Sequence, residues 1–118
     1  MQQNIKTQKA TIKEWAKNNL VGNKYPSPVG MVLVTLAGIK ETLNQPHCNE
    51  IKKMEAIYRI EKLLSEAEFV KVATDKRGRA LLWHYLKITI AESNSYIVVR
   101  EDIKLEIKIL YSIVDNIK

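Results

Sequence analysis

A single cysteine, Cys48, is present, so no intrachain disulfide can form and no cysteine-rich zinc cluster can be assembled. The fold must hold by packing alone. The sequence has no glycine-rich phosphate loop, no HExxH and no GxSxG, which disfavours P-loop and dinucleotide enzymes, zincins and nucleophile-elbow hydrolases. Apolar runs such as Val29–Ala37 and Ala80–Leu86 stop short of the roughly 20 residues that a membrane-spanning helix needs. The opening Met1-Gln2-Gln3-Asn4-Ile5-Lys6 lacks the apolar stretch of a secretory signal. No internal repeat and no low-complexity segment is found, and no membrane association is expected.

What the chain does contain fits one globular domain spanning residues 1–118, with 46% hydrophobic and 27% charged residues. Residues 1–28 are expected to form a helix and a connector, and residues 29–118 the core. The net charge of +6 is unevenly placed. Residues 1–24 carry five lysines against one glutamate, and residues 71–87 carry five Lys/Arg against one aspartate. Two basic stretches that converge would attract phosphate or an acidic protein, whereas apart they would be ordinary solvated surface.

Ile12, Trp15, Ala16 and Leu20 recur at helical spacing after Thr7 and Thr11, and Gly22-Asn23 would end that helix. Pro26 and Pro28 mark Lys24–Pro28 as an extended connector, and Val29–Leu36 reads as a first strand. A brief helix fits Gly38–Asn44, stopped by Pro46. Asn49 is a good cap for a helix reaching about Ala67, with Ile51, Met54, Ile57, Ile60 and Leu64 on one face. Strands are expected at Phe69–Ala73, Ala80–Ile90, Tyr96–Arg100 and Leu105–Val114, with turns at Asp75–Arg79, Ser93-Asn94-Ser95 and Glu101–Lys104. In the last strand Leu105, Ile107, Ile109, Tyr111 and Ile113 alternate as the core face. The expected fold is α+β, with N-terminal helices packed on a mainly antiparallel sheet of four to five strands.

Metal-independent RNA cleavage needs a base for the ribose 2′-hydroxyl, an acid for the leaving oxygen, and cations for the developing charge. His47 lies in a loop after Pro46, where function and plain surface are both open readings. His84 shares a strand face with Leu82, Leu86 and Ile88, which suits a hydrogen-bonded core histidine as well as an acid or base. Lys40 and Ser112 sit where they could face a cleft or plain solvent. Arg77, Arg79, Arg100 and Lys76 can meet phosphate, or simply keep a turn and a strand edge soluble. Trp15, Tyr25, Trp83 and Tyr96 could stack on bases, but such spacings more often reflect core packing. Cys48 beside His47 has no third metal ligand nearby in sequence, so no metal is expected.

Taken together, Thr35–His47, Ile60–Ala67, Asp75–Arg79, Trp83-His84-Tyr85, Ser95–Asp102 and Tyr111–Lys118 resemble the barnase/EndoU/colicin/RelE-like nucleases, found in contact-dependent growth inhibition toxins and phage polyvalent proteins. The resemblance covers nearly the whole chain and implies a metal-independent endoribonuclease toxin acting on RNA, above all tRNA, by 2′-hydroxyl attack. It raises His47, His84, Lys40 and Ser112 as catalytic candidates, without fixing which is acid and which base. It also implies no cofactor, a monomer acting in the bacterial cytoplasm, delivered there by a larger secreted protein or made there, and an acidic cognate immunity protein. The alternative is a non-catalytic RNA- or protein-binding module on the same scaffold.

Overall fold

The computed structural model describes residues 5–117. Helix α1 (Ile5–Asn19) buries Ile12 and Ala16, as the spacing predicts. Thr11 lies inside it and donates its hydroxyl to the Thr7 carbonyl at 3.1 Å, so it is no cap. The chain then forms a hairpin, β1 (Lys24–Ser27) and β2 (Gly30–Leu33), in place of a connector and a single strand. Pro26 is tolerated because β1 is an edge strand. The hydroxyl of Ser27 ties the turn by donating to the Gly30 carbonyl at 2.8 Å.

Helix α2 (Leu36–Asn44) is capped by Thr35, whose side chain accepts from the Gly38 N–H. Gly38 faces β6 so closely that a β-carbon would overlap the Leu110 carbonyl, and this close approach seats α2 on the sheet. Asn49 caps the next helical stretch, α3 (Glu50–Ala56), which continues through a 3₁₀ turn at Ile57–Arg59 into α4 (Ile60–Glu66). Four strands follow: β3 (Glu68–Thr74), β4 (Leu81–Ile90), β5 (Ser93–Asp102) and β6 (Ile107–Val114).

The molecule is α+β, but the expected sheet of four to five antiparallel strands is incorrect. Six strands form one mixed sheet in the order β1-β2-β6-β5-β4-β3. The N-terminal hairpin joins the C-terminal meander by a short parallel pairing at Leu33 and Ile109. The cause is that Lys24–Ser27, despite its proline, pairs along β2, and β2 then covers the edge of β6. Leu86, Ile88, Ile90, Ile97, Val99, Leu110 and Ile113 from the sheet meet Ile12, Ile39, Leu43, Met54, Ile57, Ile60 and Leu64 from the helices in one buried core. No helix among the described residues is long and apolar enough to cross a membrane.

Candidate nucleic-acid interface

Alternation along β4 sends His84, Leu86 and Ile88 into the helix-side core and Trp83 and Tyr85 to the other face. Antiparallel pairing places Val98 of β5 beside Tyr85 and Ser112 of β6 beside Val98. A bulge in β6 leaves Tyr111 unpaired between Leu110, which faces the core, and Ser112, which faces away. Tyr111 thereby meets Trp83 edge to face, with ring centroids 4.9 Å apart. Trp83, Tyr85, Tyr111 and Ser112 floor a groove of about 500 Å³, with Lys76 on one side and Gln45-Pro46 and Asp115-Asn116 on the other.

The wall bearing Lys76 is fixed by Asp75. Its carboxylate accepts the Trp83 indole N–H at 3.1 Å, the backbone N–H groups of Arg77 and Arg79 at 3.1 and 3.2 Å, and two bonds of 3.0 Å from the Arg79 guanidinium. The Arg79 guanidinium holds the Asp75 carboxyl well below the usual carboxylate range, with Trp83 adding to it, and Asp75 in turn raises Arg79. On the same face Lys71 lies over the Tyr85 ring, 5.3 Å from its centroid. Arg100, the cross-strand neighbour of Trp83, lines a smaller cleft between α2 and β6 that shares Tyr111. Its Nε is buried with no hydrogen-bond partner among the described residues.

The residues expected from sequence to carry chemistry do not converge. Lys76 and Ser112 line the groove. Lys40 lies in a separate cleft between α1 and α2. Arg77 sits in the exposed β3–β4 turn, and Arg79 is committed to Asp75. His84 is on the opposite sheet face from Ser112, its Nε2 2.7 Å from Glu101, with Nδ1 buried and unpartnered among the described residues.

His47 is buried rather than exposed. Its Nδ1 accepts the Asn49 N–H at 2.8 Å, so Nε2 carries the proton and donates to the Ser95 hydroxyl at 2.8 Å. The third metal-binding residue absent nearby in sequence is supplied in space by Asp115. Donor atoms of His47, Cys48 and Asp115 lie within 4.8 Å of one another. In this arrangement both His47 nitrogens are already engaged, and Asp115 accepts the Cys48 N–H at 2.8 Å. Beside them Lys53 is fully buried and donates to the Gln45 carbonyl, and burial lowers its pKa from the ordinary lysine value. These contacts tie the Gln45–Asn49 loop, and with it one wall of the groove, to the core.

Of the aromatic floor, Trp83 is among the residues expected from sequence either to stack on bases or to pack in the core, whereas Tyr85 and Tyr111 are not expected to stack. Trp15 does pack internally, edge to face with Tyr58 at 4.7 Å. Trp83 does not, and the signal was available: Trp83 and Tyr85 stand out of phase with Leu82, His84 and Leu86. The family model for large polyvalent protein-associated domain 3 matches residues 3–109 of the chain. No curated protein and no solved structure matches it.

Proposed function

Because this chain belongs to the large polyvalent protein-associated domain 3 family, we propose that it serves polyvalent proteins as an RNA-handling domain that takes single-stranded RNA into the groove of its sheet. The observation that carries this reading is the floor of Trp83, Tyr85 and Tyr111 set among Lys71, Lys76 and Arg100. Bases stack on aromatic faces whatever their identity, and lysine and arginine neutralise the phosphates that follow them. Tyr85 and Tyr111 offer ring surface, and Lys71, Lys76 and the guanidinium of Arg100 offer charge. The groove is complete within one chain, which suits a monomer.

Cleavage of the bound RNA is the second reading, favoured by Lys76, Tyr85 and Tyr111 lying together with Ser112 on the groove wall and floor. Lysine and tyrosine can each give or take a proton, so general acid/base attack by the 2′-hydroxyl would run through them rather than through His47 and His84. In a toxin of this kind, an acidic neutralising protein would cover the groove. Incubation with total tRNA in EDTA separates the readings. Products ending in 2′,3′-cyclic phosphate mean an endoribonuclease, and salt-sensitive binding with intact tRNA means a binding module. Absence of both would overturn the RNA reading.

A further inference from the structure

Lys6, Lys9, Lys13 and Lys17 follow one another at intervals of three, four and four residues, which sets them along one side of α1 beside the buried Ile12, Ala16 and Leu20. The row runs for about 16 Å at the rise of an α-helix. Across from it stands Lys40 of α2, and Lys6, Lys9, Lys13 and Lys40 line a cleft of about 330 Å³ closed by Leu43 and Asn44. Lys9, Lys13 and Lys40 make no ion pair among the described residues. Lys9 also opposes the charging of the buried Lys53. Like charges gathered in one cleft repel, and an anion placed between them relieves that repulsion.

The chemistry of the cleft narrows what that anion is. Lysine presents a compact point charge without the planar fork of arginine, and no aromatic ring lines the cleft, so it can hold phosphate but cannot stack bases. Its position narrows it further. Asn44 closes the cleft, and the next two residues, Gln45 and Pro46, form a wall of the sheet groove, so the linings of the two sites follow one another along the chain at the C-terminal end of α2.

We infer that the α1–α2 cleft is a second subsite, indifferent to base identity, which grips the phosphate backbone of the same RNA strand where it leaves the sheet groove past Pro46. This rests on the groove reading given above. A longer strand then binds more tightly than a short one, and the excess belongs to the lysines.

The test compares wild type with Lys9→Gln/Lys13→Gln, using labelled oligouridylates of about 4 and about 16 nucleotides across a salt series. Neither residue belongs to the buried core, and an unchanged melting curve confirms that the variant is folded. The variant should bind the short oligonucleotide as wild type does and the long one roughly tenfold or more weakly at low salt, with the salt slope reduced by about 0.7 per lysine. Equal binding of the long oligonucleotide by both proteins would overturn the second subsite and leave the groove intact. If wild type fails to bind the short oligonucleotide, the groove reading falls, and the cleft is judged on inorganic polyphosphate. Weaker polyphosphate binding by the variant would support a phosphate site, and equal binding would overturn it. Binding to anionic phospholipid vesicles that depends on these lysines, with RNA binding unchanged, would assign the row to a membrane surface and overturn the proposal.

Discussion

The indole N–H of Trp83 donates to Oδ1 of Asp75 at 3.1 Å, so one carboxylate holds both the ring that floors the groove and the turn that carries Lys76. Asp75→Ala should therefore leave the helix-side core folded, release Trp83 and weaken RNA binding. Trp83 emission, followed with Trp15 replaced by Phe, should change, and an unaltered spectrum with unaltered affinity would contradict the coupling. The pH dependence has a definite sign. Asp75 has its carboxyl lowered from 3.8 in the folded state, so its contribution to stability is full above that value and is lost as pH falls through the folded pKa. Asp75→Asn should flatten the loss of stability between about pH 5 and about pH 2.

Both histidines are expected to act through stability. His84→Ala strips the Glu101 carboxylate of its 2.7 Å partner, and His47→Ala orphans Ser95 and the Asn49 N–H. Each change should cost about 1–3 kcal/mol and lower the melting temperature by several degrees. Neither should abolish RNA binding in protein that remains folded. A stable but inactive His84→Ala would return the acid/base role to His84.

How far the sequence reached is clearest at three places. Asn49 announced its helix through capping chemistry, and Met54, Ile57, Ile60 and Leu64 are buried as the spacing predicts, whereas Ile51 is 46% exposed and a 3₁₀ turn interrupts the helix at Ile57–Arg59. The β4–β5 turn is formed by Ala91 and Glu92, at φ 51° and 64°, rather than by Ser93-Asn94-Ser95. Two left-handed residues match a tight hairpin turn that Asn-Gly would have signalled and Ala-Glu does not. The alternation in β6 failed at the bulge. It made Tyr111 look like core, whereas Leu110 is buried and Leu105 is 73% exposed. The phase of Trp83 and Tyr85 along β4 marks part of the floor in the sequence, but the groove also depends on that bulge and on a carboxylate reaching Trp83 from the preceding turn, which neither propensity nor spacing reveals.

Gly38 is a packing constraint of a kind that propensity alone reads in reverse. Alanine normally strengthens a helix, but here the added methyl would meet the Leu110 carbonyl. Gly38→Ala should destabilise the protein by about 3 kcal/mol or more as α2 lifts from β6. Denaturant unfolding showing an unchanged or higher midpoint would contradict the close approach.

Lys53 gives a pH dependence of the same sign as Asp75 but in an alkaline window, where a burial penalty is relieved as the amine loses its proton. Burial lowers its pKa from 10.5, outweighing the attraction of Glu50, so between the folded value and 10.5 the unfolded chain holds more protons at this site. Stability should therefore rise with pH through that window. Lys53→Met should lack this component, and parallel pH dependences of the melting temperature in the two proteins would refute it.

In the proposed complex RNA lies on the aromatic face of the sheet. Fluorescence anisotropy with a labelled single-stranded RNA in EDTA, comparing wild type with Tyr85→Ala, measures what one ring of that face contributes. Removing one stacking ring should cost about 1–3 kcal/mol of binding, roughly tenfold in affinity or more, with the melting temperature little changed. Equal affinity of the two proteins, or no binding by wild type at low salt, would contradict it.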